Sequence, residues 1–133
     1  MARMYTEVEE VYVNGLGWVP FKASDVCLRV KLRKEDKITR VKLNYIDCCD
    51  GVICGDGIEE LSIDSDIRRY EVYICNEDDI KINEVEFFCK VEDKLEIIKY
   101  INNQYNDNKY GFHCLCHGSL STYVNIKLKI ESL

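Results

Sequence analysis

Along most of this chain apolar and polar residues alternate with a period of two, and that rhythm constrains the fold more than any other feature. Such alternation sends successive side chains to opposite faces of a pleated strand, so one face can enter a core while the other meets water. In DVCLRVKLR, Val26, Leu28, Val30 and Leu32 alternate with Cys27, Arg29, Lys31 and Arg33. In ITRVKLNYI, Val41, Leu43 and Tyr45 alternate with Arg40, Lys42 and Asn44. IRRYEVYIC puts Tyr70, Val72 and Ile74 on one face. INEVEFFCKV does the same with Val85, Phe87, Cys89 and Val91, opposite Glu84, Glu86 and Lys90.

Shorter signals complete the set. EVYVN, from Glu10 to Asn14, reads as a short first strand. The KED at Lys34 to Asp36 and the EDK at Glu92 to Lys94 read as turns, with LEIIKYI after the second as a hairpin partner. TYVNIKLKI sets Val124, Ile126, Leu128 and Ile130 against Tyr123, Asn125, Lys127 and Lys129, and the two lysines would protect a sheet edge. Asp47 to Gly57, DCCDGVICGDG, reads as a Gly- and Asp-rich loop. Segment 58–66 could hold one helical turn, and no stretch carries a convincing helical stripe. About seven alternating strands predict an all-β fold, an antiparallel immunoglobulin-like β-sandwich, with a closed barrel as the runner-up. With 133 residues, one proline and no linker or repeat, the expectation is a single domain over 1–133.

Charge narrows the partners. The net charge is −6, whereas a nucleic-acid backbone rewards clustered Lys and Arg, so direct nucleic-acid binding is unexpected. The same sign disfavours an anionic membrane surface. No apolar run approaches the roughly 20 residues of a membrane span, and MARMYTEVEEVYV has no apolar signal region. The expectation is therefore a cytoplasmic chain, either complete or an excised domain.

Eight cysteines are present: Cys27, Cys48, Cys49, Cys54, Cys75, Cys89, Cys114 and Cys116. Cys27, Cys75 and Cys89 sit inside strand patterns, where a free thiol packs as a small hydrophobe. HCLCH, His113 to His117, together with CCDGVIC offers zinc-type ligands, but without the usual C-x-x-C pair. An extended backbone would place Cys114 and Cys116 on one face and His113, Leu115 and His117 on the other. Disulfides from Cys114 or Cys116 to Cys48, Cys49 or Cys54 are the third reading. Asp47, Asp50 and Asp56 do not follow EF-hand spacing. No G-x-S-x-G, P-loop or H-E-x-x-H occurs. A Cys114–His117 pair would need a third orienting group. The expectation is a non-enzymatic protein with no cofactor and no metal.

The stretch KYINNQYNDNKYGF brings aromatic rings and amides together. Sugar recognition needs both: flat faces for the apolar side of a pyranose, and side chains that donate and accept toward vicinal hydroxyls. Tyr100, Asn102, Asn103, Tyr105, Asn108 and Tyr110 supply them, with Asn106 beside them, and Trp18 is a second platform or a core plug. The alternative is an ordinary solvated turn, since Asn tolerates left-handed backbone.

LRVKLRKEDKITRVKLNYID, SDIRRYEVYI and EVEFFCKVEDKLEIIKYIN, over roughly residues 26–112, resemble the N-terminal starch-binding domain of neopullulanase-type amylases. The segment ending in NNQYNDNKYGF is similar to starch- and glycogen-binding domains of the glycogen-targeting type. Tyr100-Ile101 stands where those domains carry a tryptophan, and Cys48, Cys49 and Cys54 stand where an aromatic is usual. The resemblance implies a non-catalytic module that binds an α-glucan oligosaccharide. In it Tyr100 and Tyr110 would stack on sugar, and Asn102, Asn103 and Asn108 would hydrogen-bond it. The rival expectation is a small acidic protein of phage or viral type that binds and inhibits a host protein, for example a nucleic-acid-processing defence enzyme. It would present Glu59, Glu60, Asp64 and Asp66, or Glu77, Asp78 and Asp79. Exposed rings along one groove would mark the first; an acidic or apolar patch would mark the second.

Overall fold

The computed structural model describes residues 1–21, 37–106 and 109–131. The strand expected over DVCLRVKLR, the KED turn, Cys27 and Asn108 lie outside the described residues. The rest is mostly β, antiparallel and sandwich-like in its two buried faces, with seven strands in one open sheet. They are β1 (Ala2–Val13), β2 (Gly17–Pro20), β3 (Ile38–Cys49), β4 (Val52–Ser62), β5 (Arg68–Cys75), β6 (Lys81–Cys89) and β7 (Gly111–Ser119). Among the described residues there are two α-helices, α1 (Lys94–Tyr105) and α2 (Leu120–Glu131), with a single 3-10 turn at Val91–Asp93 leading into α1. The order across the sheet is β4-β3-β1-β6-β5-β7, with β2 pairing the end of β1.

The alternation works as expected where strands form. Val41, Leu43, Val72, Ile74 and Phe87 are fully buried. Phe87 and Phe88, adjacent in sequence, bury into clusters on opposite faces of the sheet. One cluster gathers Val8, Val11, Leu43 and Phe88 under Leu120 and Val124 of α2. The other gathers Met4, Cys48, Tyr70, Val72, Ile74 and Phe87 under Ile97 and Ile101 of α1.

Several local expectations are corrected. LEIIKYI is not a strand but the body of α1, because Ile97 and Ile101, one helical turn apart, are the side chains that reach the sheet. TYVNIKLKI lies in α2, where Leu120 and Val124 are buried and Leu128 packs against the same cluster. Lys127 and Lys129 therefore stand on a helix and guard no sheet edge. Segment 58–66 is mostly strand, and the first strand starts at Ala2, not Glu10. The 47–57 loop is a hairpin: Asp50 (φ 52°) and Gly51 (φ 79°) form a two-residue turn in left-handed backbone that matches strand twist. Cys49 and Cys54 are bridged across that turn, so neither joins Cys114 or Cys116.

Candidate functional site

Of the described residues expected to hold sugar, the structure brings the rings of Tyr105 and Tyr110 into contact, spreads Tyr100, Asn102 and Asn103 along α1, and sets Trp18 apart. Tyr105 ends α1 and meets Tyr110 edge-on at 5.3 Å and Phe112 at 6.2 Å, and its hydroxyl accepts from Asn83 Nδ2. Tyr100 packs against the cluster under α1. Its hydroxyl accepts from Gln104 Nε2 at 2.7 Å, and burial pushes its phenol up. Asn103 donates to the Gly51 carbonyl at 2.8 Å, docking the β3–β4 turn on α1. Asn102 is exposed on the helix. Trp18 lies near the opposite end of β1 from α1, roughly 25 Å away at about 3.3 Å per residue. The stretch read as a sugar-binding loop is thus largely helix.

Trp18 belongs to a different surface. Residues directly opposite in antiparallel strands share a face. The register aligns Trp18 with Tyr12, Tyr12 with Arg40, Glu10 with Lys42, Lys42 with Glu60 and Asn44 with Ile58. Across these strands Tyr12 meets Trp18 edge-on at 5.4 Å, and Lys42 Nζ sits 4.2 Å from the Trp18 ring while pairing with Glu10 at 3.3 Å. Arg40 pairs with Glu60, and Asn44 donates to Glu9. This half-face ends in β4, which among the described residues pairs only with β3. Cys54, Asp56, Ile58, Glu60 and Ser62 are all exposed there.

Two charged networks sit on the other face. Arg3 grips Asp47 with two nitrogens at 2.8 and 3.2 Å and reaches Glu59 at 3.2 Å, its guanidinium 3.7 Å from the Tyr45 ring centroid. Tyr5 donates to Glu59, and burial together with that bond raises its phenol. These groups line a hollow of about 320 Å³. On β5, Glu71 accepts from Tyr73 at 2.5 Å and from Arg69 at 2.7 Å, with His117 Nε2 at 3.2 Å. Arg69 also reaches Glu86 at 3.3 Å; its Nε is buried without a partner among the described residues.

Apart from Arg69 Nε, the donors named in each network bond that network's own acceptors. The Arg3 hydrogen bonds hold Asp47 below the usual carboxylate range, and the Tyr73 bond does the same for Glu71. Both folded values are depressed, so the stabilisation is present above the unfolded values of about 3.9 and 4.3 and is lost as pH falls through the folded ones. Urea midpoints should fall between about pH 6 and pH 3, and an Asp47→Asn/Glu71→Gln variant should show a flatter fall. Equal slopes in both proteins would remove these carboxylates from the acid limb.

Sequence reading missed the half-face because its residues come from four strands with no common motif. The Asp50-Gly51 dipeptide was the one local signal for the hairpin that builds it. No family model, curated protein or solved structure matches the chain. No helix among the described residues is long and apolar enough to cross a membrane.

Proposed function

We propose that the chain is a non-catalytic protein-binding module that receives an extended segment of its partner along β4. The observation that carries this is the character of that edge. It runs 11 residues, contains neither Pro nor Lys, and exposes Val52, Ile53 and Ile58 by 57, 51 and 60%. Folded proteins usually blunt such an edge with lysine, proline or a short strand, because its free N–H and C=O groups template another chain. Strand addition uses those groups for affinity and alternate side chains for specificity.

Charge supports the kind of partner. Asp56 and Glu60 alternate with the apolar residues, and Asp64 and Asp66 continue the acidic line past the strand. A partner segment alternating apolar residues with Lys or Arg complements this edge, as would the basic channel of a nucleic-acid-processing enzyme. Tyr12, Trp18 and Arg40 on the adjoining half-face are residue types enriched where binding energy concentrates. The α-glucan reading has less support: Tyr105 and Tyr110 stand at 68° and offer no common plane, and Trp18 lies far from both.

Ile53→Lys/Ile58→Lys installs the missing lysines on exposed positions. It should leave the melting temperature unchanged and weaken binding of a Val/Lys-alternating peptide at least about tenfold. Hydrogen exchange in β4 should slow with the wild type only. Equal peptide binding by both proteins would sink the edge reading. Saturable heat with maltoheptaose or β-cyclodextrin, lost in Tyr105→Ala/Tyr110→Ala, would favour the sugar reading instead.

A further inference from the structure

The structure assigns a zinc-binding site to Cys75, Asp79 and His113, independent of the partner edge. One ligand atom from each lies within 4.8 Å of the other two, and this is the convergent group of that kind among the described residues. The three arrive from three elements: Cys75 ends β5, Asp79 sits in the β5–β6 turn, and His113 is on β7.

The backbone explains the meeting. β7 pairs His113 with Tyr73 and Gly111 with Cys75, so His113 is the diagonal neighbour of Cys75 on one face. Gly111, directly opposite Cys75, has no side chain to stand over the sulfur. The turn is tied by Asn76, whose Oδ1 accepts from the N–H groups of Asp78 and Ile80. Asn76 N–H in turn donates to the Ile80 carbonyl at 2.9 Å. This closure puts Asp79 in left-handed backbone, φ 59°, with its carboxylate 3.6 Å from His113 Nε2.

The donor set selects the metal. Thiolate, imidazole and carboxylate together suit zinc; calcium and magnesium take oxygen ligands. Bonds of about 2.0–2.3 Å in a tetrahedron put donors roughly 3.3–3.6 Å apart. Closure by about 1 Å therefore completes the site, within reach of side-chain rotation at His113 and Asp79, which are 63 and 85% exposed. Cys75, 7% exposed, gives the inner ligand. Its S–H proton leaves to solvent as the S–Zn bond forms. The fourth position faces water and is open to a small ligand or a side chain of another protein. Convergence on one point is what a cation needs; a nucleophile–base–orienter chain would run in series through the two imidazole nitrogens.

The alternation of HCLCH also keeps the other thiols out. Cys114 packs on the α1 side with Ile74 and Val72, while His113 faces away. A zinc ion bound at Cys75 would fasten the β5–β6 turn to the outermost strand.

The test is titration of the reduced, chelator-treated full chain with zinc by calorimetry, and with cobalt(II) by absorption. One equivalent should bind with proton release, and cobalt should show a thiolate charge-transfer band and tetrahedral d–d absorption. Cys75→Ser should abolish the charge-transfer band. His113→Ala and Asp79→Asn, both at exposed positions that leave the core untouched, should each raise the zinc Kd at least about tenfold. Zinc should also slow amide exchange over Asn76–Ile80. Wild-type affinity in both surface variants, binding lost instead in Cys114→Ser/Cys116→Ser, or no zinc binding at all would overturn the assignment.

Discussion

Phe88→Ala should lower the free energy of unfolding by about 3–5 kcal/mol, a large share of the 5–15 kcal/mol available to a domain of this size. Phe88 is fully buried. Its ring meets Tyr123 of α2 edge-on at 4.6 Å, and it pairs with Tyr5, the register pair that joins β1 to β6. Truncation removes apolar burial, an aromatic contact worth about 0.5–1.5 kcal/mol, and the packing at the seam between two halves of the sheet. Urea unfolding with an unchanged m-value would measure it. A loss below about 1 kcal/mol would mean that the seam is held elsewhere.

A paired substitution in α1 separates helix from strand outright. On a strand Leu95, Ile97 and Ile101 would share one face, and truncating any of them would cost alike. On the helix Ile97 is fully buried and Leu95 is 78% exposed. Ile97→Ala should cost about 2–5 kcal/mol, and Leu95→Ala should stay within about 0.5 kcal/mol. Comparable losses at both positions would restore the strand and remove α1 from its place over Val72 and Phe87.

Why those two helices were illegible follows from their residues. TYVNIKLKI satisfies period two over its whole length, LEIIKYI follows a tight turn as a hairpin partner would, and Ile, Val, Thr and Tyr favour strands. The competing period was weaker. Only Ile97 with Ile101, and Leu120 with Val124, had to be buried, which four-residue spacing satisfies. The terminal signals were nonetheless present. Glu92 and Asp93 precede α1, Asn106 stops it in left-handed backbone (φ 40°), and Ser119 bonds Ser121 and Thr122 where α2 begins. β3, β5 and β6 were legible because alternate residues enter the core: Val41 and Leu43, Tyr70, Val72 and Ile74, and Phe87 and Cys89. Of the candidate sites, the alternation in HCLCH foretold which face His113 takes. Nothing local could have placed Asp79 beside it, since the contact depends on β7 returning to β5 after a helix.

The position of β1 has a consequence for how the molecule assembles. It precedes the other described strands in the chain, yet it lies mid-sheet between β3 and β6. The β3–β4 hairpin closes locally on Asp50-Gly51 and β1 can zip onto β3 soon after it. On its other side β2 pairs only Glu10–Val13, so the stretch around Tyr5 must wait for Phe88 to emerge. Until that moment the stretch of β1 around Tyr5 lacks the strand that covers it in the finished sheet. Folding should therefore run at the slow pace of non-local β pairing, with its greatest exposure to intermolecular pairing before residue 88 leaves the ribosome.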